Sequence, residues 1–284
     1  MILDPHNEYG DAFPGHKRLS TDERTLSLPY WLLSFQETVG LLIGKTEFVA
    51  TSQSNIIKTA LLTARQEGAK TIGLDPKEIT VDSPVPYALD RFQGLIEADK
   101  PSQKSKQDSH NSILQKLEVL RRDARLYFMM DSWDGNTDGF ASVVQQFLGE
   151  GHPIRIVDLS GVPNEVAGVA SSVIARTLFS MKVWQSVEER KRSPVLVVCE
   201  EAHRYVPNRG EAQYEAAQEA IRRLAKEGRK YGIGLMLVSQ RPNEVEATVL
   251  SQCNSWIILR ITNDADRQHV RSILPDSLSG LTKI

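Results

Sequence analysis

An α/β fold with a mainly parallel sheet flanked by helices is what this sequence predicts, and three observations predict it. Short apolar runs without alternation recur along the chain, the pattern of strands buried on both faces of a parallel sheet. Longer segments with helical spacing lie between them, and strand–helix–strand alternation calls for right-handed crossovers. The composition allows it: 284 residues, 40% hydrophobic and 25% charged, suit one large core or two small ones.

Taken in order, Met1-Ile2-Leu3-Asp4 reads as a hydrophobic strand already under way. The other end, Leu278 to Ile284, has no polar tail, so the expectation is a piece of a longer protein. Tyr30–Ser34 (YWLLS), Leu126–Met130 (LYFMM), Ile154–Leu159 (IRIVDL), Val195–Cys199 (VLVVC), Ile233–Ser239 (IGLMLVS) and Trp256–Ile261 (WIILRI) read as further strands. Val166, Val169, Ala170, Val173, Ile174, Thr177 and Met181 share one helical stripe. Glu211 to Lys230 reads as a second long helix, spanning about 30 Å at 1.5 Å per residue.

Residues 53–125 break the rhythm. Gln53–Glu67 and Asn111–Arg122 are helical patterns, with Pro76, Pro84, Pro86 and Pro101 in the turn-rich stretch between them. Pro101 to His110 has no apolar residue and reads as a mobile loop. The expected organisation is a first part of the core over 1–52, a mostly helical insertion over 53–125, and the remainder of the core over 126–284.

Charge and cysteines exclude some classes. A formal net charge of −2 gives no chain-wide basic signature, so nucleic acid would have to meet a local stripe. Two cysteines, Cys199 and Cys253, make no disulfide framework, and a reducing, cytoplasmic setting is the expectation. No run approaches the roughly 18 apolar residues of a membrane helix, and no signal peptide is visible. No membrane partner is expected.

The segment VLVVCEEAH (195–203) carries the strongest chemical signal. A buried strand ends in two adjacent glutamates, and open α/β sheets bind ligands at the carboxyl ends of strands. In a Walker B arrangement Glu200 lies beside Mg²⁺, through water because the ion keeps much of its hydration shell, and Glu201 acts as the base on the attacking water. A strand ending in two solvated glutamates is the plain alternative. IGLMLVSQRP (233–242) is a second buried strand, ending in Ser239-Gln240. A Gln240 amide can bond both a γ-phosphate and water; a turn ahead of Pro242 is its alternative.

Arg229, near the end of the long helix, is a candidate finger for a neighbouring subunit's phosphate. A cation favoured by the helix dipole explains it equally. Arg222, Lys226 and Lys230 share one face, which reads as solvated before it reads as a phosphate-tracking stripe. Asp4, with Pro5-His6-Asn7-Glu8-Tyr9 behind it, places polar groups at the same strand-tip edge. Asp158 can simply serve its turn. Glu200-x-x-His203 matches the unit of di-iron bundles, but no second copy occurs. No Cys/His spacing supports zinc.

GLLIGKT (40–46) looks like a phosphate-binding loop but is one residue short of G-x-x-x-x-G-K-[ST]. Its Leu, Leu and Ile call for burial, so Lys45 and Thr46 are expected at a helix end or turn.

At VLVVCEEAHRYVP, GRKYGIGLMLVSQRP and VLSQCNSWIILRITNDAD the chain resembles the HerA family of hexameric DNA-translocating ATPases, in the HerA/FtsK branch of RecA-like P-loop motors. MILDPHNEYGDAF and IRIVDLSGVPNEV resemble it too, and the five segments occur in the family's order. The resemblance implies a RecA-like P-loop NTPase core that uses ATP and Mg²⁺. It gives Glu200 and Glu201 the Walker B pair, Gln240 the sensor, and Arg229 the trans-acting finger, with Arg223 as its alternative. It implies a homo-oligomer in the form of a hexameric ring on double-stranded DNA, with a nuclease or other effector subunit, in DNA end processing or anti-phage defence. The chain departs from the family pattern in lacking the Walker A loop, the N-terminal β-barrel and the last strands, so the implied hydrolysis belongs to the longer protein. A ring that is chiefly a nucleotide switch or scaffold is the second reading, and a non-nucleotide α/β protein the third.

Overall fold

The computed structural model describes residues 1–44, 51–131, 133–149, 151–208 and 215–273. The strands are β1 (Ile2–Asp4), β2 (Lys17–Leu19), β3 (Arg155–Asp158), β4 (Val195–Cys199) and β5 (Ile233–Leu237). They form one sheet in the order β2–β3–β1–β4–β5, every pair parallel. Leu3, Val157, Val197 and Cys199 are wholly buried, which is why their segments read as unbroken apolar runs. Parallel pairing sets all carboxyl ends on one edge, so Asp4, Asp158 and Glu200 come from adjacent strand tips.

The helices are α1 (Phe35–Ile43), α2 (Thr51–Thr71), α3 (Leu89–Ala98), α4 (Asp108–Arg122), α5 (Tyr127–Met130), α6 (Phe140–Leu148), α7 (Asn164–Trp184), α8 (Val187–Arg192), α9 (Glu215–Glu227), α10 (Ala247–Leu250) and α11 (Asp264–Ile273). The predicted fold class is the one found. The stripe on α7 packs against α1 and α9. By length and composition alone α7 passes for a membrane span, at mean hydropathy 1.3 over its best window, contrary to the sequence expectation; 78% of that window is buried in the protein core.

Three strand expectations are corrected. Tyr30–Leu32 is a 3₁₀ turn, all three residues buried, after an extended Pro29. Leu126–Met130 falls in a 3₁₀ turn capped by Asp123 and then α5. Short apolar runs carry no periodicity that separates a strand from a buried turn of helix. Trp256–Ile261 forms no strand: among the described residues β5 pairs with β4 alone, and Ile257 and Leu259 stand 83% and 82% exposed. Without a neighbour for its backbone groups the run has no ladder to join. In the 101–110 stretch, the expected loop contains a 3₁₀ turn at Lys104–Lys106, and α4 begins by Asp108.

Ser34 opens α1 with a capping box: its hydroxyl accepts from the Glu37 N–H, and the Glu37 carboxylate accepts from the Ser34 N–H. Glu37 is buried and also pairs with Arg176 at 2.8 Å. Gly40–Ile43 completes the helix, and Gly44, at φ 69°, ends it with its N–H on Gly40 O. The GLLIG part of GLLIGKT is therefore a helix end with buried Leu41 and Leu42. Lys45 and Thr46 lie outside the described residues.

Helices α2, α3 and α4 pack on one another, and α2 and α4 pack on α1. At Gly68 of α2 the chain before α3 passes so close that a Cβ would sit 1.9 Å from the Pro86 carbonyl oxygen. Gly68→Ala is therefore expected to destabilise by about 1–3 kcal/mol, the cost of overpacking. Gly94→Ala on α3, where a Cβ meets nothing within 4 Å, should instead gain about 0.5–1 kcal/mol from helix propensity. Urea unfolding of the two variants measures the contrast; equal midpoints would contradict the close approach.

Candidate functional site

The site begins with the turn after β1. Asp4 is wholly buried, and its two oxygens accept the backbone N–H groups of His6 (3.2 Å) and Tyr9 (3.1 Å). Asn7 takes the left-handed conformation at φ 58°, which asparagine tolerates better than most residues. The turn holds His6 over the sheet edge. Asp4 thus shapes the loop with its carboxylate, whose charge also reaches Glu200. Asp158, one strand away, accepts the Ser160 N–H and pairs with Arg18 at 2.6 Å, so it serves its turn.

β4 delivers the two acids. Glu200 is 5% exposed, and its Oε2 is buried without a hydrogen-bond partner. Burial first, then the charges of Glu201, Glu8 and Asp4, push its carboxyl up to about 7, with Arg204 opposing. Tyr9 is raised as well, by burial and then by Glu200. The edge therefore concentrates negative charge that a cation would relieve. Glu200 follows a strand and lies in no helical bundle, which removes the di-iron reading.

Glu201 has φ 52° and ψ 55° at the start of a 3₁₀ turn over Ala202–Arg204. A non-glycine residue there costs about 1–2 kcal/mol, and such strain clusters at functional positions. Its Oε2 lies 3.2 Å from His203 Nδ1, within ion-pair range but not aligned as a hydrogen bond. Ala202 N–H donates to Val238 O (2.9 Å) and Val238 N–H to Cys199 O (3.0 Å). These bonds tie the tips of β4 and β5 together, and the exposed Gln240 follows two residues after Val238 on that same edge.

Asp4, Glu200, Glu201 and Gln240 thus share one edge. Arg229 does not: it sits in the 3₁₀ turn before β5, exposed at the amino end of that strand, on the order of 15 Å away along five residues of strand. Arg223 is stacked over Phe179 at 4.3 Å, and Arg222 pairs with Glu246 at 2.8 Å, so the proposed basic stripe is broken by an ion pair. Residues 211–214 of the expected long helix lie outside the described residues.

Arg204, which sequence reasoning passed over, and His6, read there only as one of several polar groups after β1, belong to the edge. Arg204 donates to His6 Nε2 at 3.1 Å, and His6, Glu200 and Glu201 each offer a ligand atom within 4.8 Å of the others. The DPH triplet and the arginine after EEAH were their signals. A polar cleft of about 970 Å³, lined by His203, Arg204, Asn208, Gln268 and His269, continues along this side. A buried carboxylate oxygen without a partner favours a cation, so the residues present fit Mg²⁺ held at Glu200.

Residues 1–178 match the family described as Helicase HerA, central domain. The DNA double-strand break repair helicase HerA of Saccharolobus solfataricus is 26% identical over 274 residues, 95% of this chain and 50% of that protein. The protein of the same name from Pyrococcus furiosus is 41% identical over 97 residues, 32% of this chain and 17% of that protein. The chain thus spans half or less of the length of these relatives. VirB4 of Thermoanaerobacter pseudethanolicus has a similar fold, with a TM-score of 0.61 and 14% identity over 100% of this chain and 75% of that one.

Proposed function

The chain belongs to the HerA helicase central-domain family, and from that premise we propose that the intact protein is an ATP-driven motor that translocates along double-stranded DNA. One observation carries the reading: two adjacent acids at the tip of a parallel strand paired on both sides, one with a buried oxygen that has no partner. Glu200 would hold Mg²⁺, which supplies charge neutralisation at the phosphates. Glu201 accepts the proton of the attacking water, and the Gln240 amide bonds the same water and the γ-phosphate. Asp4 contributes by fixing the turn that walls this edge. Arg229, exposed at the far end of β5, would serve a neighbour's site, as a finger in trans requires an oligomer. We read that oligomer as a hexameric ring, cytoplasmic, working with a nuclease or other effector subunit in DNA end processing or anti-phage defence.

A triplex-displacement assay on the intact protein tests this. ATP-dependent displacement of the third strand is the expected result. ATP hydrolysis without displacement would replace the motor with a nucleotide-switch scaffold.

A further inference from the structure

We infer that His203 is a positioning residue: its ring nitrogen Nδ1 fixes the Glu201 carboxylate in the orientation that takes a proton from water. The inference rests on the reading of Glu201 as the base and names the group that holds that base in place. The local chain builds the contact. Glu201 takes the left-handed conformation, and its carbonyl accepts the Arg204 N–H at 2.8 Å, which closes the 3₁₀ turn over Ala202–Arg204. Ala202 N–H donates to Val238 O at 2.9 Å, so the turn is anchored to the chain after β5. Within this closed turn the imidazole returns to the side chain two residues before it, and His203 Nδ1 stands 3.2 Å from Glu201 Oε2.

Both of these atoms are buried, and neither has a hydrogen-bond partner. An exposed ion pair would count for little, but the two side chains are only 24% and 15% exposed, and a buried polar atom left unmet is costly. A small turn of the imidazole aligns its N–H with the carboxylate and satisfies both at once. Among the described residues His203 is the one ion-pair partner of Glu201, so no other such contact sets the direction of that carboxylate. A carboxylate facing Nδ1 also keeps the ring proton on that nitrogen. The imidazole then donates to the base and does not compete with it for the proton of water. A misplacement of about 1 Å at a reacting group can cost on the order of 10²-fold in rate, which sets the scale of what the histidine contributes.

ATPase kinetics of the intact protein test the role. His203→Ala is expected to lower kcat by roughly 10–100-fold and to leave the affinity for a fluorescent ATP analogue unchanged. His203→Asn, whose amide nitrogen takes the place of Nδ1, should restore most of the rate; His203→Gln, whose amide reaches the place of Nε2, should not. In a Glu201→Gln background, where the base is already gone, His203→Ala should cost nothing further. A parent-like kcat in His203→Ala, equal rescue by Asn and Gln, or a full additional loss in the Glu201→Gln background would each overturn the inference. The Asn and Gln variants keep a polar side chain of similar size, so their contrast stays decisive even where His203→Ala folds poorly. The two failures are distinct: collapsed turnover in Glu201→Gln with full turnover in His203→Ala removes this inference alone, whereas full turnover in Glu201→Gln removes the base reading and this inference with it.

Discussion

Glu201→Gln in the intact protein is expected to leave ATP binding in place and to cut turnover by about 10²–10⁴-fold, the range lost with a general base. Glutamine matches glutamate in shape and keeps the left-handed backbone that residue 201 adopts, so the strain at the strand tip is the same in both proteins. What changes is the ability to take a proton. The charge of Glu201 is also one cause of the raised carboxyl at Glu200. Removing it lowers that value, leaves Glu200 more fully ionised at neutral pH, and should hold a cation at least as well. The variant therefore separates the two acids: nucleotide affinity, read with a fluorescent analogue, stays level or tightens while kcat collapses. Turnover equal to the parent's would remove Glu201 from the base role and leave Glu200 the candidate.

Much of this edge was legible because its parts are short in sequence and buried in space. β1 and β3 are buried on both faces, β4 and β5 are apolar runs although Leu196 and Met236 are half-exposed, and the acids of β4 are contiguous. β2 was invisible: Lys-Arg-Leu is three residues with two charges, and Arg18 is tolerated there through Asp158, 140 residues away. Arg204 and its contact with His6 escaped for the same reason, since that contact joins residues 198 apart. A metal search by Cys/His spacing looks for ligands on one element and passes over a histidine on one strand tip facing acids on another. Tyr30–Leu32 and Leu126–Met130 misled because their apolar residues are buried by the helices packed over them, not by a sheet. Arg65 escaped too, because an arginine on a helical pattern is assigned to the solvated face.

That last residue sets the second large effect. Arg65, on α2, is wholly buried, and its guanidinium donates to three backbone carbonyls, those of Val81, Trp31 (3.2 Å) and Leu33 (2.5 Å). No carboxylate hydrogen-bonds it among the described residues. Burial pulls its pKa below the usual arginine value, yet arginine still keeps its charge. The residue pins the turn at 79–83 and the 3₁₀ turn of Tyr30–Leu32 onto α2. Arg65→Met keeps most of the volume and removes every donor. Losing a desolvated charge offsets part of the cost, but the three carbonyls stay buried, and each unmet acceptor costs about 1–3 kcal/mol. The expected net loss is about 3–5 kcal/mol, as for breaking a buried ionic contact from one side, out of a total stability of about 5–15 kcal/mol. Arg65→Lys, which keeps a charge and three donors on a point-like head, should fall between Met and the parent. Thermal melts should give that order, with the Met variant lower by roughly 10 °C. The clamp lies on the helices of the 53–125 segment and contributes no group to the sheet edge, so the folded fraction should retain its nucleotide affinity. A Met variant as stable as the parent would mean that those carbonyls find other donors, and that the arginine is a passenger in the core.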